Sequence, residues 1–129
     1  MLSLPFNSST PVMWVNLTLF EENGIEVPTT WDGVIEAARA LKEAGVASPF
    51  GQGWQSWTMI ENFSAWHDIQ IGTNSNGFGG TDTELTINNP AVVAHIQRLA
   101  EMAEEGLFTY GGRRGDSRPQ FVNGEAAMW

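Results

Sequence analysis

The chain lacks cysteine altogether among its 129 residues, which excludes a disulfide scaffold and any thiolate metal site and leaves either redox compartment open. It also lacks a run of about 18 apolar residues, so no helical membrane span is expected. Its first ten residues, MLSLPFNSST, lack the basic n-region and apolar h-region of a signal peptide. Basic side chains are scarce, 6 against 15 acidic ones, for a net charge of −9. That balance disfavours nucleic acid, whose phosphate backbone needs a basic surface, and anionic lipid for the same reason. A small phosphorylated ligand stays open, because a few local donors outweigh a diffuse field. Metal-binding patterns are missing too: His67 and His95, the two histidines, are far apart, and neither HExxH nor a calcium loop is present. There is no phosphate loop, Gly77-Phe78-Gly79-Gly80 follows no strand, and Ser8 and Ser9 lack a nucleophile elbow. No metal, no cofactor and no catalytic residue is therefore expected.

What the chain does hold is tryptophan. Three of its six, Trp54, Trp57 and Trp66, fall in the stretch Gly51–Trp66, GQGWQSWTMIENFSAW, interleaved with Gln55, Ser56, Glu61, Asn62 and Ser64. Rings that stack on C–H faces, set among hydrogen-bonding neighbours, suit a polyol or sugar. A helix of core aromatics with ordinary surface residues between them fits the same pattern, and both readings stand at this point. Glu61 and Asp68 suggest a glycosidase pair, but seven helical residues put about 10 Å of rise between them.

Hydrophobic residues make up 42% of the chain, as in a globular domain, and the length suits a single domain with its own core. Val12-Met13-Trp14-Val15 is apolar on both faces and predicts a buried central strand. Leu17–Asn23 reads as a short helix stopped by Gly24. A longer helix follows, with Thr29 and Asp32 as a capping-box-like start, a stripe of Trp31, Val34, Ile35, Ala38 and Leu41, and Gly45 at its close. Val46–Phe50 predicts a strand, Trp54 the turn after it, and Trp57 the first turn of the next helix, where Phe63 and Trp66 pack into the core. Gly72–Asp82 reads as a loop. Asn89-Pro90 marks a helix with a buried stripe of Val92, Val93, Ile96, Leu99, Ala100 and Ala103, and with His95 on its wet face. The segment beyond Gly106 predicts a loop, a short helix around Pro119–Asn123 and an apolar, strand-like AAMW. Arg113, Arg114 and Arg118 lie within it, as an anion site or as a solvated loop.

Taken together, LPFNSSTPVMWVN, TTWDGVIEAARALKEAG, GWQSWTMIENFSAW, NNPAVVAHIQRLAEMAEEG and FVNGEAAM resemble the extracellular solute-binding proteins of ABC importers. The closest resemblance is to the branch that delivers sn-glycerol-3-phosphate and glycerophosphodiesters. It implies an α/β fold of type II periplasmic-binding-protein kind, with helices around a small sheet. Residues 1–129 would form a single domain like the first part of the C-terminal lobe of a two-lobe protein, a fragment whose partner lobe is missing. It implies binding without catalysis, of a small polyol phosphate or sugar, and an ABC permease as partner of the full-length protein. The location implied is periplasmic or extracellular, lipid-anchored or soluble. By position, Ser9, Trp54 and Trp57 match the residues of the family that contact ligand. The chain departs from the family pattern at His67, commonly Asn there, and at Met13-Trp14. A binding protein for an uncharged sugar and a carbohydrate hydrolase using Glu61 are the competing functions. Self-association through lobe faces left exposed is a further expectation.

Overall fold

The computed structural model describes residues 6–7 and 9–129, and for Trp54 the backbone alone. Helix α1 spans Leu17–Glu22; Asn16 caps it by accepting from the Leu19 N–H at 3.3 Å. Gly24, at φ +64°, turns the chain out of it. Helix α2 runs from Trp31 to Glu43, and its N-cap is Thr30, whose hydroxyl accepts from the Gly33 N–H at 3.0 Å. The start expected at Thr29 is thus one residue early. With Gly33 at the third helical position, no carboxylate can reach back to complete a capping box.

Strand β1, Ser48–Trp54, is the middle of a three-stranded sheet ordered β2-β1-β3, with β2 at Phe108–Arg113 and β3 at Ala126–Met128. Both pairings are parallel: Phe50 stands opposite Phe108 and Met128, Ser48 opposite Ala126, and Trp54 opposite Arg113 after a bulge. Strand β2 was expected as loop. Its Gly111-Gly112 pair carries the signature of a turn, yet serves close packing, as shown below.

The run Val12–Val15 is not a buried central strand. It forms one antiparallel bridge, Val15 to Met128, at the free edge of β3. The Trp14 and Trp129 N–H groups donate to each other's carbonyls at 2.8 and 2.9 Å. Only one edge of the run is paired, and of its residues Val15 alone packs against the core, so Val12 is 66% and Trp14 56% exposed.

After β1 the chain enters a π-helix, Trp57–Asn62, that continues as α3, Phe63–Trp66. Helix α4, Thr73–Asn76, interrupts the expected loop with a single left-handed turn, Asn74 to Asn76 at φ 53–57°. Asn76 steadies that turn by accepting from the Ile71 and Gly72 N–H groups. Helix α5, Pro90–Glu104, starts as the sequence indicates, with Asn89 accepting from the Val92 N–H at 3.0 Å. Its buried stripe is Val92, His95, Leu99 and Met102, while Val93, Ala100 and Ala103 face outward. The stripe is rotated from the expected one because His95 enters it as an aromatic ring. Helix α6, Arg118–Val122, leads into β3.

The core lies where α2 and α5 pack against the sheet: Phe20, Leu41, Met102, Leu107 and Met128 are fully buried there. Arg39 of α2 grips Glu105 beyond α5 through two bonds of 2.9 and 3.0 Å, and Lys42 donates to the Glu105 carbonyl. The Arg39 hydrogen bond holds the Glu105 carboxyl below its ordinary value. Among the described residues no helix is long and apolar enough to cross a membrane.

Candidate ligand-binding site

All three strands run parallel, so their carboxyl ends meet at one edge, the edge at which open α/β sheets bind ligands. Trp54 ends β1, Arg113 ends β2, and Trp129 follows β3. Their closeness rests on glycine. A Cβ on Gly53 would lie 1.8 Å from the Arg114 carbonyl oxygen, and one on Gly111 would lie 2.2 Å from the Ser117 Cβ. The two glycines let the turn after β2 lie against β1 with no side chain between. Arg114 is left-handed at φ +55°, and the Arg113 N–H donates to the Asp116 carboxylate at 2.9 Å, which fixes the turn. Buried Ser117 accepts from the Trp129 indole N–H at 2.7 Å and ties the end of β3 to the same turn.

Of the residues expected from sequence, Trp54 lies at the end of β1 by its backbone, and its side chain lies outside the described structure. Trp57 opens the π-helix, 38% exposed, and its indole N–H donates to the Gln55 side chain. The Asn62 amide donates to the Trp57 carbonyl at 2.8 Å and closes the wide helical turn. Trp54 and Trp57 therefore share the corner where the strand hands over to the helix. Ser9 is exposed on the irregular segment before Val15, and no hydrogen bond among the described residues joins it to Trp57. Ser8 lies outside the described residues.

A concavity of about 830 Å³ opens between α2, α3 and α5 and reaches Val12, Met13 and Trp129. Neither Ser9 nor Trp57 lines it. Trp66, expected in the core, stands at this opening 72% exposed, because α3 ends there and leaves nothing to pack over its ring. His95, expected in water, is 1% exposed in the wall. Its ring stacks on Phe63 at 3.7 Å with 5° between planes and meets Trp31 edge-on at 4.7 Å. Burial, helped by the charge of Arg98 and then by His67, lowers its pKa to about 4. It is a neutral ring at neutral pH, which is the form that belongs in an aromatic stack. The sequence signal for it was position alone, three residues after Val92 and four before Leu99, outweighed by its polarity.

His67 is exposed, with Nδ1 2.8 Å from the Phe63 carbonyl. Asp68 lies past the end of α3 at φ +54°, so it shares no helical face with Glu61. Among the described residues no group of three His, Asp or Glu is placed to hold a metal.

Comparison with known proteins agrees with this fold. The sequence profile of the bacterial extracellular solute-binding proteins matches residues 2–129. The sn-glycerol-3-phosphate-binding periplasmic protein UgpB of Rhizobium meliloti (strain 1021) is 44% identical over 133 residues, covering 99% of this chain and 31% of the relative. Its namesake in Pectobacterium atrosepticum is 45% identical over 131 residues, covering 99% and 30%. The chain thus spans about three tenths of the length of these relatives. Among solved structures, a sugar transporter from Arthrobacter chlorophenolicus A6 with bound laminaribiose superposes with a TM-score of 0.67 at 24% identity, over 90% of this chain and 29% of that one. That likeness bears on the fold alone. Parallel sheet, glycine-lined carboxyl edge and a profile match along nearly the whole sequence converge on one statement: the chain belongs to the family of bacterial extracellular solute-binding proteins.

Proposed function

We propose that this chain is part of the substrate-binding component of an ABC importer and helps capture sn-glycerol-3-phosphate or a glycerophosphodiester without catalysis. The observation that carries this reading is identity of 44–45% along 99% of the chain to proteins named for glycerol-3-phosphate binding. In this reading residues 1–129 supply the first part of a C-terminal lobe. Ser9, Trp54 and Trp57 belong to its ligand wall, and a second lobe closes over the ligand by favouring the closed state. The location is the periplasm or the cell exterior, and the partner is a membrane permease. A serine hydroxyl suits a phosphate or glycerol oxygen, and tryptophan supplies a stacking face and one N–H. Val12 and Trp14 are more than half exposed, and in this reading the isolated chain self-associates through faces that a second lobe would cover.

The test is a chimera in which this chain replaces the matching stretch of the Rhizobium meliloti relative. Calorimetry is expected to show sn-glycerol-3-phosphate binding that maltose-like sugars do not displace. A folded chimera that binds an uncharged sugar and ignores glycerol-3-phosphate would overturn the reading. For the 129-residue chain alone, with half of the contacts absent, binding is expected to be millimolar or undetectable. Micromolar affinity there would sink the idea that two lobes share the ligand.

A further inference from the structure

Trp57 is the first residue of the π-helix, with part of its ring open to solvent, and two neighbours fix it there. The Asn62 amide donates to its carbonyl at 2.8 Å, and the Gln55 side-chain oxygen accepts its indole N–H. Gln55 is itself anchored. Its own carbonyl accepts from the Thr58 and Met59 N–H groups at 3.1 and 3.3 Å, and Met59 is buried in the core. The Gln55 side chain therefore reaches Trp57 from a backbone tied to the same turn. An indole carries one N–H and no acceptor, so that bond uses the only hydrogen-bonding atom of the ring. What Trp57 has left to offer is its face.

We propose that Gln55 is a positioning residue of the ligand wall: by accepting the indole N–H it orients the Trp57 ring and leaves that ring to meet the ligand by stacking alone. The proposal rests on the solute-binding reading above, in which Trp57 belongs to the wall, and deepens it. At Trp57 the site recognises the carbon skeleton of a polyol, and the phosphate and hydroxyl oxygens find their donors elsewhere. The charge distribution of the ring gives the reason. Its face is electron-rich and suits C–H groups, whereas its positive edge, the part that would suit an anionic oxygen, is covered by Gln55. A partly exposed tryptophan without such a partner samples several rotamers, and holding it in one before ligand arrives removes an ordering cost from binding.

The experiment joins NMR on the 129-residue chain to calorimetry on the chimera described above. In the NMR arm the Trp57 indole N–H is identified by its disappearance in Trp57→Phe, and Trp66, 72% exposed, serves as the solvated reference. The Trp57 signal is expected to lie downfield of the reference and to exchange more slowly with water. Gln55→Met, of similar length but without the acceptor, should abolish both differences, and Gln55→Glu, which keeps an oxygen there, should retain them. In the chimera, Gln55→Met should weaken sn-glycerol-3-phosphate binding about fivefold, the cost of ordering one side chain. With Trp57→Phe already in place the same substitution should add nothing, because Gln55 acts through the indole. A Trp57 signal indifferent to Gln55→Met, or a full fivefold loss in the Trp57→Phe background, would overturn the positioning role and leave the solute-binding reading standing. A Trp57 indole that leaves Gln55 for the ligand, seen as an N–H shift retained in ligand-bound Gln55→Met, would overturn recognition by stacking alone. A folded chimera that ignores glycerol-3-phosphate would overturn the solute-binding reading, and this proposal with it.

Discussion

His95 sits in α5 with neither ring nitrogen paired, stacked on Phe63 and edge-on to Trp31. Its pKa of about 4 in the fold lies below the ordinary 6.5. Below about pH 6.5 the unfolded chain takes up a proton that the folded chain resists, so the fold loses stability as the pH falls from there toward 4. Between pH 7 and 4.5 this one group accounts for about 2.5 kcal/mol. Arg98, His67 and Asp32 are the charged or titratable neighbours in the same wall. His95→Phe preserves an aromatic ring there, and its stability, from urea melts at the two pH values, should fall by about 2.5 kcal/mol less than that of wild type. Equal losses in both proteins would show that the ring is not the acid-sensitive element. Its burial was illegible in the sequence, where a histidine assigned to one polar stripe with Gln97, Arg98 and Glu101 reads as wet. The place of Trp57 in the first turn of the next helix was legible, because the helical period of Trp57, Ile60 and Phe63 begins there.

At the scale of elements, the best-read parts are those with a local chemical signature. The Asn-Pro start of α5, Gly24 and Gly45 as stops, and the short helix before Asn123 all rest on capping and backbone chemistry near in sequence. The misread parts rest on partners far away. Strand β2 is glycine-rich because Gly111 faces Ser117, and Val12–Val15 is apolar on both faces while only β3 borders it. Of the three expected site residues, one backbone and one side chain could be placed at the corner, and what defines the corner is Gly53, whose GQG context suggests only a flexible lead-in. Gly53→Ala puts a methyl into the Arg114 carbonyl, so β1 and β2 must separate or the turn must shift. The expected cost is about 1–3 kcal/mol by chemical denaturation, the range for forcing an extra methyl into a close-packed contact. An unchanged midpoint would mean that the turn does not lie against β1.

Over the whole molecule, apolar surface and net charge pull in opposite directions. Val12 and Trp14 beside β3, Tyr110 on β2 at the opposite edge and Val122 on α6 are all more than half exposed, while a charge of −9 keeps copies apart at low ionic strength. Association is therefore expected to rise with salt. Light scattering should detect oligomers that grow with chain concentration at high salt and diminish with Val12→Thr together with Trp14→Thr. A strict monomer under every condition, in wild type, would remove self-association from the account.

The order β2-β1-β3 also decides when the fold can form. Its central strand is synthesised first and stays unpaired until Phe108, and then Ala126, have followed it. Closing those long intervals precedes the reward of pairing, so assembly is slow relative to helix formation. During that interval Ser48–Trp54 presents two open edges at once. A chain halted before β3 would hold Ser48–Trp54 half covered, which makes Ala126–Met128 the residues that close its second edge.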